Sequence, residues 1–151
     1  TQVALVSHDI ERLTSWYEDV LGFAPNRKGD FENKARMDEI VDFDKLSLKA
    51  AWFKMDQTTK TLEIWQYRNP QTQVYSGKRA VTELGYSYSI EVGDIQTEYA
   101  RMMELGVEFV SDPVLMGDYW QVHAHDADGN VFALRQWVDA QSQFSLRKLE
   151  A

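Results

Sequence analysis

The chain has 151 residues, with 24 acidic and 16 basic side chains and a formal net charge of -8. This acidic balance disfavours a nucleic-acid partner, which calls for a basic face, and the absence of cysteine excludes disulfides and thiolate metal sites. No apolar run approaches the roughly 18 residues of a membrane span, and no basic-then-apolar leader is visible. We therefore expect a globular cytoplasmic domain with no membrane partner.

The first half of the chain predicts a strand, an amphipathic helix and a pair of strands. Asp9 is a good N-cap, apolar residues recur after it at spacings of three and four, and Gly22 suits the helix C-terminus. The stretch 23–43 is polar and irregular, with one helical turn around Met37 to Val41. The predicted strands are 3–6, 46–55 and 61–67, with a turn at 56–60 between the last two.

The second half repeats this order of elements. Asp94 is a second helix cap and Gly106 a second helix end; the two caps are 85 residues apart and the two glycines 84. The predicted strands are 86–92, 107–110, 119–125 and 131–136, with a turn at 126–130 before the last.

The repeat predicts an α+β fold made of two modules, each with the order strand, helix and three strands. The first module is residues 1–68 and the second is residues 86–137. Residues 69–85 are a predicted linker, and residues 138–151 are a polar tail. The helices are expected to cover the apolar faces of curved sheets.

Side chains alternate between the two faces of a strand, so the other faces collect polar residues. A lone inward carboxylate such as Glu63 is costly to bury unless it is paired or hydrated. Glu63 is therefore a candidate general base or ligand for a cation, or a structural ion-pair partner of Arg135. His123 is a candidate for proton transfer or substrate hydrogen bonding. The residues predicted to line one cavity are Glu63, Trp65, Ser87, Gln121, His123 and Arg135.

Several short motifs carry a resemblance to a known family. They are Val3–Val6 followed by Asp9, Val20–Phe23, Thr61–Ile64, Asp94–Ile95 followed by Leu105–Phe109, and the turn Asp126–Asn130. Together they resemble the glyoxalase, bleomycin-resistance and extradiol-dioxygenase group, the vicinal oxygen chelate superfamily, although Ala127 stands where that family has proline. The resemblance covers about residues 1–137. It implies two βαβββ modules in curved mixed sheets, with helices on the outer face and a cup-like inner cavity.

The metal enzymes of this family place one ligand on each of four strands. Carried over by resemblance, those positions are Gln2, Glu63, Ser87 and Ala133. Gln2 and Glu63 can ligate a metal, Ser87 is a poor ligand, and Ala133 cannot ligate. Because an enzyme metal needs three or more nitrogen or oxygen ligands, the resemblance predicts the fold without the metal, and no cofactor is expected.

The resulting expectation is a metal-independent protein that binds a small organic molecule, cationic or aromatic, in the cup. It would resemble the drug-sequestering resistance proteins of the bleomycin branch. The alternative is an enzyme of the glyoxalase type, a lyase, isomerase or epimerase, that uses Glu63 and His123 as acid and base. Family members with two modules per chain commonly pair them across a dimer, so a homodimer is expected.

Overall fold

The computed structural model describes residues 2–55, 60–74, 77–82 and 87–139. The chain divides into two compact units, residues 1–76 and 77–151. Most of the predicted turn at 56–60, the start of the predicted strand 86–92 and nearly all of the predicted tail lie outside the described residues. Within the described ranges, no helix is long and apolar enough to cross a membrane.

The first unit contains a four-stranded mixed sheet. Its strands lie in the order β1-β4-β3-β2, with β1 parallel to β4 and the other neighbours antiparallel. Its elements are β1 (Gln2–Val6), α1 (Ile10–Leu21), β2 (Pro25–Glu32), α2 (Ala35–Val41), β3 (Ser47–Lys54) and β4 (Thr61–Asn69).

The second unit repeats this topology. Its strand order is β5-β8-β7-β6, again with one parallel pair, β5 and β8. Its elements are β5 (Tyr88–Glu91), α3 (Ile95–Glu104), β6 (Val114–Leu115), β7 (Tyr119–His125) and β8 (Val131–Trp137). The predicted α+β class with two βαβββ modules is confirmed.

The repeat extends to the hydrogen bonds that begin the two long helices. The Asp9 carboxylate accepts the Arg12 N–H at 3.1 Å, and the Asp94 carboxylate accepts the Thr97 N–H at 3.2 Å. Such caps satisfy backbone donors that have no partner within the helix.

A glutamine on the last strand of each module supports the same helix start. The side-chain oxygen of Gln66 accepts the Ile10 N–H at 3.2 Å, and that of Gln136 accepts the Ile95 N–H at 2.9 Å. Each helix is thereby fixed to the strand on which candidate site residues lie.

Two strand predictions were wrong. The stretch predicted as irregular contains β2, which is an edge strand. Its polar and charged residues, which are common on exposed sheet edges, do not show the apolar alternation by which strands are predicted. The predicted strand at 107–110 is reduced to one bridge between Phe109 and Ala124, and the ladder resumes at β6 after Pro113. Proline lacks an N–H and restricts the residue before it, so it interrupts the pairing.

Two described parts of the predicted linker 69–85 make regular backbone contacts. β4 continues through Asn69, beyond the predicted end at Tyr67. Further along, the Arg79 N–H donates to the Gly129 carbonyl at 3.1 Å, and the Arg79 carbonyl lies 2.7 Å from His125 Nε2. These bonds tie Arg79 to the rest of the second unit, to which it belongs.

One face of the first sheet is packed under α1. Leu62 and Ile64 are fully buried, and so are Leu13 and Tyr17 of the helix. The rings of Tyr17 and Phe53 lie 6.0 Å apart between centroids. This face forms the apolar core of the first unit.

Replacing Leu62 with alanine should lower the free energy of unfolding by roughly 2–5 kcal/mol, because it leaves a cavity in a packed core. The matched control is Leu105→Ala, since Leu105 is 52% exposed and its truncation should change stability by about 0.5 kcal/mol or less. Urea denaturation of both variants checks the expectation. Equal losses would contradict the assignment of Leu62 to the core.

Candidate functional site

Glu63 lies in the middle of β4 on the face opposite α1. Its register partners are Ala4 on β1 and Trp52 on β3. The residue is only 6% exposed. Burying a carboxylate is unfavourable unless hydrogen bonds replace its hydration, so its neighbours decide whether it can remain there.

Three neutral N–H groups point at this carboxylate. The Gln2 side-chain amide and the Trp52 indole both donate to Oε1. The Trp65 indole donates to Oε2 at 3.0 Å. Hydrogen bonds to an ionised acceptor are stronger than neutral ones, so these donors offset much of the cost of burial. None of them carries a charge, so they hold the carboxylate in place without neutralising it.

An aromatic wall surrounds the carboxylate. We call the surface made by Phe31, Trp52, Glu63, Trp65 and Tyr67 the Glu63 face. The Phe31 and Trp52 rings meet edge to face at 6.1 Å, and the Trp65 and Tyr67 rings lie 6.2 Å apart. All four rings are half-buried, so part of each remains accessible.

The floor beneath these rings is a second apolar cluster made of Leu46, Leu48 and Ala50. Met37 and Val41 of α2 pack against it. The Asp38 carboxylate holds α2 to the start of β3, because it accepts the backbone N–H of Leu46 at 2.9 Å. The face is therefore apolar and aromatic around one fixed charge, whereas the sequence pattern predicted a mainly polar surface.

Gly29 on β2 makes room for the rings. A Cβ placed there would lie 2.5 Å from the Phe31 ring and 3.1 Å from the Trp52 ring. Any side chain at this position would therefore displace the aromatic wall.

Two further groups complete the chemistry of the Glu63 face. The exposed Arg27 guanidinium lies 4.8 Å from the centre of the Trp52 ring, a cation–π contact. Burial raises the pKa of the Tyr67 phenol, so the hydroxyl stays protonated at neutral pH. It can therefore donate a hydrogen bond to a bound molecule.

The second unit presents another polar group of candidate residues. Gln121, His123, Ala133 and Arg135 occupy alternate positions on paired strands, with Gln121 opposite Arg135 and His123 opposite Ala133. They therefore share one face of the sheet. Arg135 donates to the Gln121 side-chain oxygen at 2.7 Å.

Arg135 also stacks on aromatic rings. Its guanidinium lies 4.7 Å from the Tyr119 ring centre and 5.8 Å from that of Trp137. Ser87 is exposed and precedes β5, and the β5 residue opposite Ala133 is Ser89.

The structure thus gathers the predicted site residues into two groups, one in each unit. Glu63 and Trp65 join Gln2 in the first unit, and Gln121 joins Arg135 and His123 in the second. The role of each residue stays a prediction.

The residues at the family's metal positions do not fit a metal. Ala133 has no donor atom, and Ser87 is exposed outside the sheet. Gln2 directs its side-chain N–H at Glu63, whose two oxygens already accept hydrogen bonds. Among the described residues, no group of three His, Asp or Glu side chains could hold an ion.

The sequence alone did not fix the face on which Trp52 lies, and it missed Phe31 and Arg27 as site residues. The face of Trp52 depends on the hairpin register, in which Lys54 pairs with Thr61. The predicted turn at 56–60 would shift this pairing by one residue and place Trp52 on the opposite face. Phe31 and Arg27 were missed because β2 itself was missed.

The comparison with known families decides the family. The family model described as Glyoxalase/Bleomycin resistance protein/Dioxygenase superfamily matches residues 1–134. The chain belongs to this superfamily. The resemblance predicted from the sequence motifs is confirmed. A separate comparison with curated protein sequences found no match.

Several solved structures share this fold at low sequence identity. A glyoxalase family protein from Bacillus cereus is 17% identical with a TM-score of 0.80, covering 91% of this chain and 93% of that one. An antibiotic binding protein from a Streptomyces species is 16% identical with a TM-score of 0.62, covering 90% and 93%. The trypanothione-dependent glyoxalase I of Leishmania major is 16% identical with a TM-score of 0.62, covering 88% and 82%.

Replacing Trp52 with phenylalanine should destabilise the first unit, because Glu63 loses one N–H donor at a buried position. We expect a loss of about 1–3 kcal/mol from the hydrogen bond to the charged group, in addition to the smaller ring. The control is Trp120→Phe, which makes the same chemical change at a half-buried residue of β7. Thermal and urea unfolding should show a larger loss for Trp52→Phe, and equal losses would contradict the role assigned to its indole N–H.

Proposed function

We propose that this protein is a metal-independent small-molecule-binding member of the superfamily, and that it holds a planar aromatic cation on the Glu63 face. The observation that carries the proposal is the buried Glu63 carboxylate, held by two indole N–H groups within an aromatic wall. Sequestering such a compound would make it a resistance protein of the bleomycin type.

The aromatic wall supports the planar part of this ligand. Half-buried indole and phenyl rings offer large, rigid surfaces for stacking, with little loss of side-chain entropy on binding. The Arg27 guanidinium over Trp52 is a cation already attracted to this wall. A ligand cation would exploit the same attraction.

The charge of Glu63 supports the cationic part. Its three partners are neutral donors, so its charge remains available to a ligand placed against the rings. In a partly desolvated site such a charge acts more strongly than in water. The net charge of -8 adds a long-range attraction for cations.

The same contacts favour binding over acid–base catalysis by Glu63. A general base needs an oxygen within hydrogen-bond reach of the substrate proton. Both Glu63 oxygens already accept indole N–H groups. A proton transfer to Glu63 would therefore disturb the contacts that hold it in place.

We expect Glu63→Gln to lower the affinity for an acridinium dye by about tenfold. The affinity for an uncharged anthracene derivative should change by less than about twofold. The control Glu18→Gln removes the same charge from an exposed position on α1 and should leave the dye affinity unchanged. Tryptophan fluorescence quenching measures the affinities. Equal effects of both variants on the dye would refute a local role for Glu63.

A second variant avoids the risk that the Glu63 substitution perturbs folding. Arg27 is exposed, so Arg27→Gln should leave the fold intact and uncover the Trp52 ring. Because the guanidinium competes for the Trp52 ring, its removal should raise the affinity for the dye by about twofold to fivefold. Weaker dye binding in this variant would contradict the placement of the ligand against Trp52.

We also propose that the protein functions without a divalent metal, because Ala133 and Ser87 leave the donor set incomplete. Elemental analysis of protein purified without added metal should show no stoichiometric zinc, nickel, manganese or iron. Near-stoichiometric metal would contradict this part of the proposal. Dye affinity should also be the same before and after dialysis against a chelator.

We further propose that the protein is a homodimer, as the family resemblance implies. The exposed apolar residues Val114, Leu115 and Met116 on and beside the edge strand β6 support a self-association surface. Light scattering at micromolar concentration should give twice the mass of the chain. A monomeric mass under these conditions would refute the expectation.

A further inference from the structure

Tyr67 lies at the opposite end of the Glu63 face from the carboxylate. Alternation along β4 places Glu63, Trp65 and Tyr67 on the same side of the sheet. Each strand residue advances the chain by about 3.3 Å, so the Cα atoms of Glu63 and Tyr67 lie roughly 13 Å apart, with Trp65 between them. The face therefore carries a polar group at each end and an indole ring in the middle.

The Tyr67 ring is held in place, whereas its hydroxyl is not engaged. The ring packs against the floor cluster and lies 6.2 Å from the Trp65 ring. The Tyr67 backbone N–H donates to the Thr72 hydroxyl at 2.8 Å, which fixes the end of β4. The phenol hydroxyl makes no hydrogen bond within the part of the chain that the structure describes, and its oxygen is not fully buried.

The side chains across the sheet from Tyr67 offer no acceptor for this hydroxyl. Leu48 is its register partner on β3, and Phe31 follows on β2. Met37 and Val41 of α2 pack against the same floor cluster. These four side chains are apolar, so the phenol is the polar group at this end of the face.

A ligand stacked on the wall would change the surroundings of the hydroxyl. Covering Tyr67 would remove the water that the hydroxyl can now reach. A buried hydroxyl without an acceptor is unfavourable, and the penalty is avoided when the ligand supplies one. Because burial raises the pKa of the Tyr67 phenol, the hydroxyl remains a donor at neutral pH. Ligands with an acceptor at this end are therefore favoured.

We propose that Tyr67 determines the specificity of the Glu63 face by donating its hydroxyl hydrogen to an oxygen of the bound aromatic cation. The ligand class is then a planar cation with its charge toward Glu63 and a carbonyl oxygen toward Tyr67. This inference rests on the proposed function and adds to it the second polar group of the ligand.

Two cationic dyes that differ in one oxygen test the contact. The first is 2-acetyl-10-methylacridinium, which carries a carbonyl oxygen. The second is its 2-isopropenyl analogue, which has nearly the same shape without the oxygen. Tryptophan fluorescence quenching measures both affinities, and the native protein should prefer the acetyl dye by about fivefold, as expected for one hydrogen bond.

Two matched variants assign the preference to a residue. Tyr67→Phe keeps the ring and removes the hydroxyl, so the preference for the acetyl dye should fall from about fivefold to about onefold. Tyr99→Phe makes the same chemical change on α3, where the hydroxyl donates to Asp112. This control should keep the preference of the native protein.

Two outcomes would overturn the inference alone. They are equal affinities of the native protein for both dyes, and a preference that persists in Tyr67→Phe. In either case Glu63→Gln would still weaken both dyes, and the proposed function would stand. Failure of both dyes to bind the native protein would instead overturn the proposed function and this inference together.

Discussion

The arrangement of the first unit depends on the hydrogen bonds that stabilise one buried carboxylate, that of Glu63. Glu63 lies between β1 and β3 in the sheet, and both neighbouring strands contribute a donor to it, Gln2 and Trp52, while Trp65 comes from its own strand. The indole groups serve two purposes, because their N–H groups stabilise the carboxylate while their rings form an apolar wall. The result is a charge that is fixed in position and not neutralised, which suits recognition of a cation.

Much of the fold could be predicted from the sequence because the signals were local. Asp9 and Asp94 each begin a helix, and an apolar periodicity of three and four follows each of them. Their regular spacing revealed the repeat, and the motifs around them identified the family. β2 escaped prediction because this edge strand consists mostly of polar and charged residues. β6 escaped prediction because it has only two residues and follows Pro113, which interrupts the pairing after Phe109.

The candidate site was harder to predict because it depends on pairing between strands. Glu63 and Trp65 could be placed on one face from alternation within β4, but the face of Trp52 requires the register across the hairpin, where a shift of one residue reverses it. Gln2 was recognised as a metal-ligand position, whereas in the structure it donates to Glu63.

The indole N–H groups of Trp52 and Trp65 hold the Glu63 carboxylate in place. Hydrogen exchange of the indole N–H groups, followed by NMR, tests this most directly, because a proton engaged in a buried hydrogen bond exchanges slowly. We expect slow exchange for both indole protons in the native protein, and markedly faster exchange for both in Glu63→Ala, with no change at Trp120. Unchanged exchange at Trp52 and Trp65 in that variant would show that their indoles do not hold the carboxylate.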